Sequence, residues 1–381
     1  MGIQDSIKKF LINIFDEYDS IVSKESNWVY VSYLSETYRL EGLKLYMKTH
    51  QNKQESLIIR DVFNELNYNF KAIRYDNRNI NLKKISKNKC DIIFGIEPGF
   101  GVLCDNNLSS KKIYYATGSY FKHQNNMIIK RTDEVNRKKN SNIPYYRLVE
   151  NHNSVEKSDY IIQIGSRYTI ETYPEEYRDK IILINQTSCE RIDLNIEEKI
   201  KEYSRDEYLW FGGKGSILKG LDLVLDYFHK QPNYKLHIVG PVDEEFKKVY
   251  KEELFNYKNI IYHGYLAVDS EELNKIANKC SFVILPSGSE GGLPGSVINM
   301  MKLGLIPIVS KYAACNYVKE KGFIIKELSE EGIDEIINKS QNLSNSQIES
   351  LFVENNKFIK HNYNKKVFKS QLKEALKNIL Y

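Results

Sequence analysis

The chain is predicted to be an α/β protein of two doubly wound parallel-sheet domains facing a central cleft. Three observations lead there. Short apolar runs alternate with stretches of helical periodicity. The alternation stops at a polar stretch and then restarts. The 381 residues, 41% of them hydrophobic, exceed one ordinary domain and suffice for two cores.

The first series opens with "NWVYVSYL" (27–34), a strand. "QESLIIRDVFNEL" (54–66) has helical spacing and leads to the strand "FKAIRYD" (70–76). Further strands follow at "CDIIFGI" (90–96), "KIYYATG" (112–118), "DYIIQIG" (159–165) and "KIILINQ" (180–186). Strand–helix–strand order of this kind implies a parallel sheet with helices on its faces. "KRTDEVNRKK" (130–139) reads as a solvated basic loop, with an anionic acceptor or membrane headgroups as the alternative partners. Ahead of the first strand, Ile3, Ile7, Phe10, Leu11, Ile14, Phe15, Tyr18 and Ile21 recur at helical spacing. That helix is expected to pack on its own domain; the alternative is a helix lying on a membrane, with Lys8 and Lys9 at the headgroups. The opening MGIQDS fits a myristoylation pattern, which has no meaning in a bacterial source.

"TSCERIDLNIEEKIKEYSRDE" (187–207) is polar and reads as the linker. Beyond it come the strand "EYLWFGG" (207–213), the helix "LDLVLDYFHKQ" (221–231), the strand "YKLHIVG" (234–240) and a charged helix at 243–256. "NIIYHGY" (259–265), "SFVILPS" (281–287), "LIPIVS" (305–310) and "GFIIKEL" (322–328) are strands, with the helix "SEELNKIANKC" at 270–280. The tail from about Ser346 is helical and charged. The expected division is 1–190 as the first domain, 191–360 as the second, and 361–381 as a helix crossing back to the first.

Composition excludes several classes. A net charge of +5 without a concentrated basic face does not fit a nucleic-acid partner. No apolar run reaches the roughly 18 residues of a membrane-spanning helix. Asp5, Asp16 and Glu17 break any signal peptide. Cys90, Cys104, Cys189, Cys280 and Cys315 are widely spaced with no CxxC, so reduced thiols in a reducing, cytoplasmic setting and no metal site are expected.

In doubly wound sheets ligands bind at the carboxyl ends of the strands. Two turns there carry chemistry. "WFGGKGSILKGLDL" (210–223) places Gly212, Gly213, Gly215 and two lysines, Lys214 and Lys219, before a helix. An anion could share the ammonium groups and the helix N-terminus; the alternative is a plain glycine-rich turn with solvated lysines. "PSGSEGGLPGSVINMM" (286–301) sets one carboxylate, Glu290, among Gly291, Gly292, Leu293, Pro294, Gly295 and Ser296. Glycines leave amides open to an oxygen-rich ligand, and a carboxylate accepts from vicinal hydroxyls. The alternative is an acid favoured by the helix dipole.

Lys214 and Lys219 five apart, then "KGLD", "LHIVG", "IIYHGY", "EELNKIANKCSFVILPS", Glu-Gly-x-x-Pro and "GLIPIVS" stand in the order of the donor half of a GT-B glycosyltransferase. Over about 207–328 the chain resembles the large retaining family 4; over 1–186 the likeness is topological. The resemblance implies two Rossmann-like domains, a nucleoside diphosphate sugar as donor, no cofactor and no metal. It implies Lys214 and Lys219 on the diphosphate, where the family has Arg and Lys, and Glu290 on the donor sugar. The family's second glutamate falls on Asn299, one residue displaced and an amide. Tyr265 would neighbour the base. On the acceptor side, His50, Gln51 and Asn52 stand where the family has a glycine pair, and Thr117, Gly118, Ser119 and His123 near the family's histidine. Glu97 and Arg167 are further candidates at strand ends. The expected function is transfer of a sugar, with retention, to a glycan or lipid-linked acceptor in bacterial surface-glycan synthesis, with room for peripheral contact at the inner face of the plasma membrane. The alternatives are a non-catalytic nucleotide-sugar or glycan-binding homologue and a nucleotide-sugar epimerase.

Overall fold

The computed structural model describes residues 17–47, 51–76, 90–107 and 109–381. Two sheets form the core. The first contains β1 (Glu17–Ser20), β2 (Asn27–Tyr33), β3 (Tyr68–Arg74), β4 (Ile92–Gly95), β5 (Lys111–Ala116), β6 (Tyr160–Ile164) and β7 (Ile181–Ile184), in the order β1-β3-β2-β4-β5-β6-β7. The second contains β8 (Ser204–Phe211), β9 (Lys235–Val239), β10 (Ile260–Gly264), β11 (Cys280–Leu285), β12 (Ile306–Ser310) and β13 (Phe323–Ile325), in the order β10-β9-β8-β11-β12-β13. Both strand orders reverse direction from a central strand, so each sheet is doubly wound, and all pairs but one are parallel.

The exception is β1, which lies antiparallel on β3 at an edge. Tyr18 therefore belongs to a strand, and Ile21 follows it exposed and outside any helix, so the helix expected up to Ile21 does not form there; its other members, Ile3 to Phe15, lie outside the described residues. Lys71 of β3 holds β1 through Asp19 at 2.6 Å. Along β2 the pleat sends Val29, Val31 and Tyr33 into one apolar cluster and Tyr30 into the opposite one, which is why this strand reads as a continuous apolar run. All five cysteines are buried and free.

The helices that frame the cleft are α1 (Asn52–Glu65), α2 (Phe121–Lys139), α3 (Leu221–Phe228), α4 (Gly295–Lys302), α5 (Glu330–Gln341), α6 (Asn345–Asn362) and α7 (Lys365–Leu380). Helix α6 starts in a Ser344–Gln347 capping box, and Asn364 caps α7 through the amides of Lys366 and Val367. Phe368, Leu372, Leu376 and Ile379 of α7 enter the apolar cluster of the first sheet, while Ile348, Phe352 and Ile359 of α6 belong to the second. The chain thus ends on the lobe where it began.

Residues 130–139 are not a loop. They form the second half of α2, because Ile128, Arg131, Thr132 and Val135 recur at helical spacing and are buried. The charges are consumed by the second lobe: Arg131 pairs with Asp222, Lys138 with Asp226 (2.8 Å) and Glu330 (2.6 Å), and Lys139 with Glu253 (2.5 Å). Val135 and Ile143 join the second lobe's apolar cluster. The expected linker is also more ordered than its polarity suggests. It contains a helix, Ile196–Glu202, and β8 already begins at Ser204. Its first residues are tied on every side: Thr187 to Glu55 (2.8 and 2.9 Å), Ser188 to the Tyr363 carbonyl (2.8 Å), and the Cys189 carbonyl to Lys302 (2.7 Å). The expected helix at 243–256 breaks into Glu244–Val249 and Lys251–Phe255.

Candidate functional site

Two turns at the carboxyl ends of β8 and β11 build the site. After β8, Gly212 is excluded from carrying a side chain by its own neighbour: a Cβ there would stand 2.4 Å from the Trp210 ring. Gly213 faces open space and Lys214 is exposed. Gly215 has φ +89°, and the amides of Gly215 and Ser216 donate to Asp243 Oδ2 at 3.0 and 2.7 Å. These two amides are thus occupied by a carboxylate that shapes the turn. Gly220, at φ +73°, brings the turn within 2.3 Å of the Pro286 carbonyl, measured from an added Cβ. This close approach sets the Lys219 side chain beside the second turn.

There Lys219 Nζ and Glu290 Oε1 form an ion pair, with only 10% and 11% of the two side chains exposed. Ser287 Oγ donates to the same Oε1 at 2.8 Å. Oε2 has no hydrogen-bond partner among the described residues. Burial lowers the Lys219 pKa below the usual lysine value; Glu290 opposes that shift and Arg147 adds to it.

The glycines of the second turn do something other than expose amides. A Cβ on Gly291 would come 2.6 Å from the Thr117 carbonyl, one on Gly292 (φ +73°) 2.8 Å from Gly165 Cα, and one on Gly295 3.1 Å from Gln51 Nε2. Gly291 and Gly292 admit the backbone of the first lobe, and Gly295 admits the Gln51 side chain. Leu293 is buried, and its carbonyl accepts from Gln186, which accepts from Gln51 at 2.8 Å. Pro294 stands just before α4, and Gly295 and Ser296 are its first residues. Ser119 bonds Ser289 hydroxyl to hydroxyl, and His123 Nε2 meets the Gly288 carbonyl at 3.3 Å, with burial lowering its pKa.

Thr117, Gly118, Ser119, His123, Gln51, Lys219, Glu290 and Gly291 to Gly295 are therefore brought together along one seam. Asn52 begins α1 beside Gln51. His50 lies outside the described residues. Asn299 is buried, and its Oδ1 accepts from the Cys189 amide at 2.8 Å, so its carbonyl end holds the linker. It also lines a cavity of about 190 Å3 with Gln51, Thr187, Arg191 and Val268. Tyr265, 72% exposed, follows β10 and meets none of the other candidates. Glu97 accepts from Tyr114 at 2.6 Å and belongs to a separate group with His152; Arg167 is an exposed residue whose amide donates to Asn316.

Sequence reading missed three residues here: Asp243, Gln186 and Arg147. Asp243 read as the first residue of a charged helix. Gln186 closes a strand motif. Arg147, in "PYYRLVEN", sits between elements with no periodicity to mark it. Spacing also missed Glu207, His237 and Cys280, whose ligand atoms lie within 4.8 Å of one another because three adjacent strands carry them. His237 already bonds Glu207 at 2.9 Å and His263 at 3.0 Å.

Two lobes with doubly wound sheets, a seam of strand-end turns between them and a returning C-terminal helix define the GT-B glycosyltransferase fold. Residues 193–378, just under half of the chain, match the family "Glycosyl transferases group 1". Among solved structures, the chain is similar to a sucrose-phosphate synthase from Thermosynechococcus elongatus, at 10% identity and TM-score 0.62, over 93% of this chain and 99% of that one. It is similar to HepE of Anabaena in complex with UDP, at 11% identity and TM-score 0.58, over 92% and 100%. TarM of S. aureus, in complex with UDP among other ligands, gives 14% identity and TM-score 0.51 over 79% of this chain and 58% of its own. By sequence, no curated protein matches.

Proposed function

We propose that the protein transfers a sugar from a nucleoside diphosphate sugar to a hydroxyl of a glycan or lipid-linked acceptor, with retention and without a metal. The Lys219–Glu290 pair at the seam carries this reading. An ammonium beside the leaving diphosphate stabilises charge that grows in the transition state. Exposed Lys214 adds to it. Glu290 Oε2 is left to accept from hydroxyls of the donor sugar, while Oε1 stays on Lys219 and Ser287. Asn299 offers its Nδ2 to a ribose oxygen in the neighbouring cavity, and Tyr265 a ring to the base. Thr117, Ser119 and His123 sit on the acceptor side. In a retaining reaction of this kind the departing phosphate can take the acceptor proton, so no paired carboxylate is needed. UDP in the HepE and TarM structures supports a nucleoside diphosphate as the common part of the donor. Bacterial surface-glycan synthesis at the inner face of the plasma membrane is the setting we favour, from the resemblance and the Asn/Lys/Ile-rich composition.

The test is a panel of nucleotide sugars by ligand-observed NMR, with Glu290→Ala as control and the anomeric configuration of any product read by proton coupling. Failure of every nucleotide sugar to bind sinks the reading; binding untouched by Glu290→Ala sinks the site. Asn299 in place of an acid favours one second reading, a binding protein without turnover. Binding with neither hydrolysis nor transfer to any acceptor would select it.

A further inference from the structure

Arg147 belongs to the segment that leaves α2 and returns toward β6, yet it stands over the glycine turn of the other lobe. Its backbone is left-handed, φ +67°. A non-glycine residue held there costs on the order of 1–3 kcal/mol and persists only where its surroundings fix it. They do. Gln124 Nε2 donates to the Arg147 carbonyl at 3.1 Å, and Asn125 bonds Val149 in both directions at 2.8 and 2.9 Å. Ile143 and Tyr146 pack with the apolar cluster of the second lobe. The side chain lies along Gly215: its Cδ is 2.7 Å from where a Cβ on that glycine would be, so any other residue at 215 would evict it. Nη1 donates to the Lys214 carbonyl at 3.2 Å. Its charge is also near enough to Lys219 to act on it.

Three cations thus converge on one turn: Lys214, Lys219 and Arg147. Of the two acids that touch the turn, Asp243 lies beneath it and is taken up by the amides of Gly215 and Ser216 and by the Ser216 hydroxyl, and Glu290 holds Lys219. Among the described residues no acid pairs with the guanidinium, and one of its five N–H donors is used.

Resting on the reading above, we propose that Arg147 is a catalytic residue that binds the donor diphosphate, supplied by the first half of the chain. It takes the part that the resemblance gives to an arginine at the position of Lys214. A guanidinium fork matches two phosphate oxygens at once, which an ammonium does not. Because its segment is packed on the second lobe, the fork stays in register with Lys219 when the lobes move.

The experiment measures UDP, GDP and ADP, and their nucleosides, by calorimetry against the parent, Arg147→Gln, Arg147→Lys and Lys219→Met, at 50 and 200 mM salt. Arg147→Gln keeps the Cβ and hence the backbone cost, so the urea midpoint without ligand should not move. For the diphosphate that the parent binds, Arg147→Gln is expected to lose about tenfold or more in affinity, as for a charged hydrogen bond. Its salt dependence should flatten, its nucleoside affinity should stay within about twofold of the parent, and Arg147→Lys should fall between. Should Arg147→Gln not fold, Arg147→Lys alone decides, by the same loss for the diphosphate only. If Lys219→Met loses the diphosphate while both Arg147 variants bind like the parent, Arg147 is not on the diphosphate. Equal loss of nucleoside and diphosphate makes its role structural and overturns the proposal too. If no diphosphate binds the parent, the transferase reading fails first and takes this inference with it.

Discussion

Replacing Glu290 by glutamine separates the charge of the central ion pair from its hydrogen bonds. The amide oxygen can still accept from Ser287 and Lys219, as Glu290 Oε1 does now. What disappears is the negative charge beside an ammonium of which 10% is exposed. Breaking a buried pair costs about 3–5 kcal/mol, and the retained hydrogen bonds place Glu290→Gln near the low end, about 3 kcal/mol at pH 7. The pH dependence has a definite sign. Burial already lowers the Lys219 pKa and Glu290 resists it, so removing the carboxylate lowers it further. The folded value then lies further below the unfolded one of about 10.4, and between the two the unfolded chain binds the extra proton. Stability of the variant rises with pH across that window, and its deficit against the parent shrinks toward pH 10. The assay is urea unfolding followed by tryptophan fluorescence, with Trp210 fully buried as a reporter. The parent, Glu290→Gln, Lys219→Met and the double variant are compared at pH 7 and 9.5. The double variant should be more stable than Glu290→Gln, with a coupling of about 2 kcal/mol or more. A Glu290→Gln midpoint equal to the parent's, or a deficit identical at both pH values, would refute the reasoning.

Gly291→Ala places a methyl against the Thr117 carbonyl and should pry the seam apart; turnover should fall at least about tenfold, worth about 1.4 kcal/mol in the barrier, with the far-UV dichroism unchanged. Asn299→Ala strips the Cys189 amide of its partner inside the protein, and a loss of about 1–3 kcal/mol should appear in the urea midpoint. Lys199 is wholly buried under the carbonyls of Ala277 and Cys280, and burial brings its pKa down to about 7. Between that value and about 10.4 the unfolded chain holds the extra proton, so stability should climb on the order of 4 kcal/mol from pH 7 to 10, and Lys199→Met should flatten the climb in parallel unfolding series.

The fold was legible where burial on both sheet faces turns a strand into an apolar run. Val29, Tyr30 and Val31 are the pattern at its clearest, buried to different sides and apolar throughout. It was illegible where one element serves two partners. Helix α2 buries Ile128 and Val135 but also Arg131, whose charge is answered by Asp222 from a distant segment. A basic residue that is buried only because its acid lies 91 positions away looks, in sequence, like one in water. The same holds for Glu55 and Thr187, which join α1 to the linker from 132 positions apart. β1 was hidden because a four-residue edge strand beside an apolar stretch carries no period of its own.

For the site, the residues were easier to read than their duties. Gly291, Gly292 and Gly295 mark a special turn, but sequence cannot tell whether a glycine yields space to a ligand or to another part of the chain. Here all three yield it to the first lobe, so the turn that presents Glu290 also registers the lobes. On the proposed reading, sugar recognition and lobe contact would share one turn, and a change that opens the seam would also move the carboxylate. Asn299 follows the same logic. An acid at that position would accept from the Cys189 amide equally well, but the amide side chain keeps a donor free on the cavity side, which a carboxylate cannot. On the proposed reading, the departure from the family pattern would exchange one hydrogen-bonding polarity for another at the nucleotide side of the site, while the charge for a diphosphate would stay with Lys214, Lys219 and Arg147.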